Sequence, residues 1–442
     1  MHILLLTFGS TGDVQPFVAL GKGLKARGHD VTVCANGTFE ALITGHGLDY
    51  AHLNDGITEV LESQFGRKTI ETMSSFWGGL KTVATMPRKL GPLMWETLSD
   101  TWTAAETVRP DLIVYYPKAG AAPHFAEKLG IPVVAAPLFP QFVSTGEFPS
   151  LGFPALRLGR GYNRLTYRIV MRINDLMSGK HIRRWRLANG LPAKSKAGLF
   201  RTAAGDPIPV IHGYSRHVAP EPVDWPGHVT ATGFWFLGQN EEWEPSRALV
   251  DFLDAGDPPV YVGFGSMAAR NPKRVTETVI QALAQAGVRG IIAKGWGGLN
   301  PNDLPDSILT IDRAPHNWLF PRMAAVVHHG GAGTTAAGLR AGCPTVVCPF
   351  FGDQPFWGAR VHVLGAGPKP SPQKKLTPEN LSAAIREAVS DPAMRAAAEA
   401  VGEKLRAEDG IANAVGVVDR AGGVVGGGQS PDNESVATYG LH

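Results

Sequence analysis

The sequence predicts an α/β protein made of two Rossmann-like halves facing across a cleft. Three observations carry that prediction. The chain has 442 residues, about three times a usual ~150-residue domain, which calls for two units. Short β-rich runs alternate with segments of helical apolar spacing, twice over, as parallel sheets covered on both faces require. Between the two series lies a polar, proline-ended stretch, residues 239–245, which reads as a linker.

In the first half, Ile3 to Phe8 is an apolar run, Gly9-Ser-Thr-Gly12 a flexible loop, and Pro16 to Ala26 places Phe17, Leu20 and Leu24 at helical spacing. Asp30 to Ala35, Asp111 to Tyr115 and Ile131 to Ala136 repeat the strand pattern, with a helix expected over Ala119 to Leu129. The pattern loosens after residue 140. A second series follows the linker: Val260 to Phe264, a helix to Ala286, Gly290 to Ala293, Ile308 to Asp312, Ala324 to His328, another helix, and Pro344 to Cys348. Residues 379–408 are alanine- and charge-rich helix. The expected organisation is therefore a unit over 1–238, the linker, a unit over 246–420 whose last helices pack back on the first unit, and a glycine-rich, disordered tail over 421–442.

Composition excludes several classes. Hydrophobic residues make up 44% and charged residues 18%, enough apolar mass for two cores. Lys and Arg number 42 against 39 Asp and Glu, a net charge of +3, so there is no broad attraction for nucleic acid. Cys34, Cys343 and Cys348 are too few for a disulfide framework and lack zinc spacing, which fits a reducing cytoplasm. The apolar opening lacks a basic leader, and no uncharged run approaches the ~20 residues of a membrane span. A cytoplasmic protein is expected, with any membrane contact peripheral.

The strongest chemical signal is Val326-Val-His-His-Gly-Gly-Ala-Gly-Thr-Thr335, a strand that delivers two histidines into a glycine-rich turn opening a helix. Gly330, Gly331 and Gly333 would let the main chain approach a phosphate, and free helix N-terminal amides carry partial positive charge. His329 could add a hydrogen bond, and Thr334 or Thr335 could cap the helix or meet an oxygen. A purely structural turn with core histidines is the alternative. Downstream, Asp353 and Gln354 follow another strand; a carboxylate and an amide suit hydroxyl-rich ligands, though beside Gly and Pro they also suit a turn. Asp13, in the loop after the first strand, could be a general base or a helix cap. His124 is a possible orienting group or a satisfied structural histidine. There is no Asp-x-Asp and no evident acidic metal cluster, so a leaving group's charge would fall to protein donors.

At these motifs the chain resembles the sterol 3-beta-glucosyltransferases, a branch of the two-Rossmann (GT-B) nucleotide-sugar glycosyltransferases of the GT1/GT28 superfamily. The resemblance rests on Gly12-Asp-Val-Gln-Pro-Phe-Val-Ala-Leu-Gly-Lys22, Thr232-Gly-Phe-Trp-Phe-Leu237, Gly263-Phe-Gly-Ser-Met267, Ala293-Lys-Gly-Trp-Gly-Gly-Leu299, Pro315-His-Asn-Trp-Leu-Phe-Pro321, His328 to Leu339 and Pro349 to Gly358. It implies inverting transfer of glucose from UDP-glucose to a sterol 3-hydroxyl, with an acceptor-binding first unit and a donor-binding second unit. It also implies no cofactor besides the sugar nucleotide as substrate. By the same resemblance Asp13 is the base, Ser266 and the turn from His329 to Thr334 hold the diphosphate, Asp353 and Gln354 read the sugar, and backbone at Ala314 reads uracil. Two departures stand out. Where plant small-molecule glycosyltransferases carry a uracil-stacking Trp this chain has Arg313, whose guanidinium can also stack; where they carry a ribose-binding Glu it has Ala337. UDP and TDP donors both stay open. So does the acceptor, because a macrolide, polyene or phenolic scaffold is the alternative to a sterol. A non-catalytic binding protein is a further alternative, and a nicotinamide enzyme is set aside because Gly9, Gly12 and Gly21 lack the required spacing.

Two features address an apolar acceptor. From Arg157 to Arg186 there are eight Arg and one Lys against the single acid Asp175, with Arg160, Arg164, Arg168 and Arg172 four apart on a helix-like segment. Over 160–177 this is expected either to touch an anionic membrane or to be a solvated helix face. Phe139, Phe142 and Phe148, with Trp77, Trp95 and Trp102, are candidates for an apolar acceptor wall or for core.

Overall fold

The computed structural model describes residues 1–56, 60, 76–238, 243–265, 272–293 and 304–424, with the backbone alone for 76–90 and 272. Two parallel sheets organise them. The first holds β1 (His2–Leu6), β2 (Asp30–Asn36), β3 (Asp49–Leu53), β4 (Leu112–Tyr115), β5 (Val133–Ala135), β6 (Val210–His212) and β7 (Val229–Ala231), in the order β3-β2-β1-β4-β5-β6-β7. The second holds β8 (Val260–Gly263), β9 (Gly290–Ala293), β10 (Ile308–Ile311), β11 (Ala325–His328) and β12 (Thr345–Val347), in the order β10-β9-β8-β11-β12. Every pairing within these sheets is parallel. The central strands are apolar throughout because both faces are covered: Ile3, Leu4, Leu5 and Leu6 are all fully buried.

Each order reverses once, between β1 and β4 in the first sheet and between β8 and β11 in the second. At such a reversal the loops leaving the two strands part, and a crevice opens at the carboxyl end of the sheet. Both crevices matter below.

Among the described residues, the helices of the first half are α1 (Thr11–Ala26), α2 (Glu40–Thr44), α3 (Phe76–Val108), α4 (Ala122–Leu129) and α5 (Gly159–Ala188). Helix α1 begins five residues before the expected Pro16, because Ser10 and Asp13 form a capping box that nucleates the turn ahead of the proline. The second half carries α6 (Arg247–Asp254), α7 (Pro272–Ala286), α8 (His316–Leu319), α9 (Ala332–Arg340), α10 (Gln354–Val363), α11 (Pro378–Ser390), α12 (Pro392–Ala407) and α13 (Gly410–Ala421). The helical stretch expected over 379–408 is two helices, broken where Asp391 caps α12 and Pro392 occupies its first turn.

The halves share one apolar cluster, in which Tyr214, Val218 and Phe234 of the first meet Leu339, Trp357 and Leu405 of the second. Arg360 Nε also donates to the Val218 carbonyl at 2.8 Å. Helix α13 returns to the first half and packs on α1: Ala414, Val415 and Val418 join the core around Phe17 and Leu20. Its end is fixed by Asp419, which meets His29 Nε2 at 2.7 Å and Arg27 Nε at 3.2 Å. Of 239–245 and 421–442, the residues 239–242 and 425–442 lie outside the described residues.

Candidate active site

At the first sheet's crevice, the capping box puts Asp13 in the opening turn of α1. Its Oδ2 accepts from the Ser10 N–H at 2.8 Å and the Ser10 hydroxyl at 3.0 Å. So the cap reading of Asp13 holds, yet the other oxygen turns outward to Lys118, whose Nζ is 2.9 Å from Oδ1. Lys118 follows β4, across the reversal from β1. Tyr116, also after β4, is buried and its hydroxyl bonds to Asp13; burial, with the charges of Asp13 and Asp353 adding, pushes that phenol well above its ordinary value. Gly9 adopts φ +129°, and a Cβ there would lie 2.4 Å from Asp13 Oδ2 and 3.0 Å from Lys118 Nζ. Only glycine permits this packing.

At the second crevice the two adjacent histidines divide their work. His328 is fully buried and its Nδ1 accepts the Gly330 N–H at 2.9 Å, pinning the turn. His329 borders the crevice. Its Nδ1 is buried and has no hydrogen-bond partner among the described residues. Burial, with His316 nearby, lowers its pKa to about 4, so the imidazole is neutral near pH 7. Gly331 caps α9 without a side-chain bond to the helix amides, which leaves that N-terminus a source of donors.

The three glycines of the turn also differ. A Cβ at Gly330 would meet Val347 at 2.6 Å and one at Gly331 the His329 ring at 2.6 Å, whereas one at Gly333 would meet nothing within 4 Å. Close packing explains the first two, and Gly333 alone opens onto free space. Thr334 is half-buried in the first turn of α9, while Thr335 is buried. Arg313 is exposed and Ala314 half-buried in the segment between β10 and α8. Ser266 lies outside the described residues.

Asp353 and Gln354 stand at the start of α10. Asp353 Oδ2 accepts from Trp357 Nε1 at 2.7 Å. The side chain keeps some solvent access, but crowding by protein raises its pKa to about 6, against the lowering pull of Trp357; the Asp13 charge raises it further and Lys118 lowers it. That mutual influence brings the two crevices together: the Asp13 and Lys118 of one half and the Asp353 of the other share one electrostatic environment. Gln354 is buried, and its Oε1 accepts the Phe350 and Phe351 N–H groups at 2.7 and 3.2 Å, so its oxygen shapes the turn.

The aromatic candidates split. Phe142 lies 5.9 Å from Tyr116 and 4.9 Å from Phe139, centroid to centroid, a continuous apolar edge leading to Asp13. Phe148 lies 5.8 Å from Phe356 of α10 and so bridges the halves. Trp95 and Trp102 pack with α5 residues, Trp102 4.9 Å from Trp185, and the Trp77 side chain is outside the described residues. His124 is buried in α4; its Nδ1 faces Arg186 Nη1 at 3.0 Å, and Arg186 is paired with Glu127. Burial, then Arg186, lowers its pKa to about 4. Its described contacts do not include Asp13, Lys118 or Tyr116.

Tyr116 and Lys118 belong to no motif of the sequence, and Trp357 lies within the Pro349 to Gly358 motif without a role of its own. The usable signal was position: Tyr116 and Lys118 follow a strand of the first sheet, but only the strand order reveals that β4 neighbours β1.

Residues 3–145 match the glycosyltransferase family 28 N-terminal domain, and residues 291–418 the erythromycin biosynthesis protein CIII-like, C-terminal domain. Sterol 3-beta-glucosyltransferase UGT80A2 of Arabidopsis thaliana is 37% identical over 429 residues, which is 94% of this chain and 64% of that protein. The sterol 3-beta-glucosyltransferase of Emericella nidulans is 36% identical over 434 residues, 95% of this chain and 30% of that protein. The chain thus spans under two thirds of the length of these curated relatives. Among solved structures, the glycosyltransferase of kitacinnamycin superposes with a TM-score of 0.68 at 22% identity, over 95% of this chain and 98% of that one. Glycosyltransferase VinC, in complex with DTDP, does so with 0.66 at 18%, over 96% and 100%. At those identities the structures speak to the fold alone.

Proposed function

The chain belongs to the GT-B glycosyltransferases of the GT1/GT28 superfamily, and on that premise we propose that it transfers a hexose, glucose first, from a UDP-sugar to the hydroxyl of a sterol-like or other hydrophobic alcohol. One observation supports this reading above the rest. A carboxylate and an uncapped helix N-terminus, each at the reversal of its own sheet, face a common cleft that Asp13, Lys118 and Asp353 share.

In this reading Asp13 takes the acceptor's hydroxyl proton as that oxygen forms a bond to the anomeric carbon. The bond from that carbon to the diphosphate oxygen breaks on the opposite face, and its electron pair leaves with the diphosphate, which inverts the centre. The amides opening α9 and a neutral His329 donating a hydrogen bond meet the departing charge. Asp353 accepts from sugar hydroxyls, beside Gln354; Ser266 and Thr334 add diphosphate contacts, and the segment Arg313–Ala314 meets the base. Phe139, Phe142 and Phe148 line the route of an apolar acceptor. With base and donor site on one cleft, a single bound geometry serves both reactants.

The second reading, a macrolide, polyene or phenolic acceptor with a UDP- or TDP-sugar, draws on Ala337, which leaves the ribose without a carboxylate partner. The test is product mass from purified protein given UDP-glucose or TDP-glucose with a panel of sterols and macrolides. Sterol glucoside from UDP-glucose is the expected product; macrolide glycoside alone would move the assignment to the second reading, and no transfer to any acceptor would contradict both.

Peripheral membrane contact belongs to the same proposal, on a face different from the one the arginine spacing suggested. Arg160 and Arg164 are tied to Asp224 at 3.3 and 2.8 Å, and Asp224 also binds the Gly146 N–H and Thr145 hydroxyl, so these two arginines brace the loop before α5. The neighbouring face is apolar. Leu165, Ile169, Leu176 and Leu187 recur on one side of α5, with Leu158 just before the helix; these five are 38–72% exposed, and exposed Arg168, Arg172 and Arg183 accompany them on the helix. An apolar stripe edged by cations fits an anionic bilayer surface. No helix of the described residues is long and apolar enough to cross a membrane. The triple variant Leu165→Ser/Ile169→Ser/Leu176→Ser is expected to lose sedimentation with anionic vesicles, and Arg168→Glu/Arg172→Glu to lose it as well. Unchanged sedimentation of both variants would remove the membrane from the account.

A further inference from the structure

We infer that Lys118 is a positioning residue for the base: its ammonium fixes the outward oxygen of Asp13 and balances the two carboxylates, Asp13 and Asp353, that face the cleft. The inference rests on the reading of Asp13 as the base and assigns a partner to it.

The geometry separates the two oxygens of Asp13. Oδ2 is held by Ser10 through a main-chain N–H and a short hydroxyl, both three residues away and rigid once α1 has formed. Oδ1 is held by Lys118 at 2.9 Å, from a side chain 40% exposed on a flexible four-carbon stem. An acceptor hydroxyl approaching this carboxylate therefore meets one fixed side and one adjustable side. The lysine is itself guided, since its Nζ lies 5.1 Å from the Tyr116 ring centroid and the Tyr116 hydroxyl bonds to the same carboxylate. Gly9 completes the arrangement, because a Cβ at that position would fall 3.0 Å from Nζ.

Charge explains why a cation belongs there. The titratable groups facing this point are Asp13, Tyr116 and Lys118 from the first half and Asp353 from the second. Two carboxylates that sense each other favour protonation of one of them, and a base that holds a proton cannot accept another. One ammonium, paired with Asp13 and pulling the Asp353 carboxyl downward, offsets that repulsion. Tyr116 stays a neutral phenol and serves as a donor. Lys118 therefore acts through Asp13 on the reacting hydroxyl, and through the shared field on the group assigned to the sugar.

The pH dependence of kcat/KM for the acceptor separates this role from a packing role. Lys118→Met is expected to move the acid limb of the profile to higher pH and to lower kcat about tenfold at neutral pH, with the donor KM little changed. Lys118→Arg, which restores a cation, is expected to return the acid limb towards its original position. Asp13→Asn in the same assay reports on the base itself. If Asp13→Asn is inactive while Lys118→Met keeps the original profile, the role given to Lys118 is wrong and the base reading stands. If Lys118→Met shifts the profile but Lys118→Arg does not restore it, charge is not the cause and the inference also fails. If Asp13→Asn retains full activity, the base reading fails first and the inference goes with it.

Discussion

Asp353 is a residue at which burial and charge pull against function. Its carboxyl is raised from 3.8 to about 6, chiefly by burial. Between those values the folded form binds a proton that the unfolded chain does not. The contribution to stability is therefore fully present below about pH 4 and is lost as pH rises through about 6. Above pH 6 the charged side chain is a cost. Asp353→Asn keeps an oxygen for Trp357 Nε1 and removes that charge, so it should raise the melting temperature at pH 8, by roughly 1–2 kcal/mol of stability, and confer no gain at pH 4. The same variant should lose transfer activity. Equal melting temperatures at pH 8 would show that the carboxylate bears no such cost. Asp13 shows the opposite economy: the residue that completes the helix cap is also the candidate base, so a sequence reading that set the two roles against each other posed a choice the fold does not make. His328 and His329 looked alike as sequence. Three-dimensional placement separated them, because only one of the two rings borders the crevice.

Among the elements, α13 shows how tightly the halves are joined. Its first residue, Gly410, touches the chain after β7: a Cβ at Gly410 would lie 2.6 Å from the Gly233 carbonyl carbon and 2.6 Å from the Phe234 oxygen. Gly233 itself has φ +110°, which a side chain would strain. Asn413 Nδ2 then donates to the Thr232 oxygen at 2.9 Å. Backbone against backbone leaves no flexible atom to yield, so Gly410→Ala should cost about 1–3 kcal/mol in urea unfolding. A neutral effect would mean that α13 can lift away from the first half without penalty. Strands and most helices were legible in the sequence because their apolar spacing is local. Apolar spacing alone starts α1 at Pro16, whereas the capping box of Ser10 and Asp13 starts it at Thr11, because a cap is read from polar residues that the spacing does not register. On α5 the arginine spacing was correct, but its meaning depended on Asp224, sixty residues away from Arg164, whose carboxylate takes up Arg160 and Arg164.

For the whole molecule, two sheets with one reversal each create two crevices, and the shared cluster around Trp357 together with α13 holds them towards a common cleft. The family resemblance led to Asp13, His329 and Asp353 directly. Tyr116 and Lys118 escaped because their importance comes from the adjacency of β1 and β4, a long-range pairing that no local pattern encodes. Phe139 and Phe142 stand out in the sequence as wall candidates, but their continuity with Tyr116 depends on the same long-range adjacency. The account's central claim is that the amides opening α9 and the His329 ring receive a nucleotide diphosphate opposite Asp13. A crystal structure of the protein with UDP-glucose tests this most directly. The account predicts diphosphate oxygens within hydrogen-bond distance of the amides of residues 332–334 and of His329, with the anomeric carbon turned towards Asp13. A diphosphate bound away from that helix end, or an anomeric carbon turned away from Asp13, would contradict it.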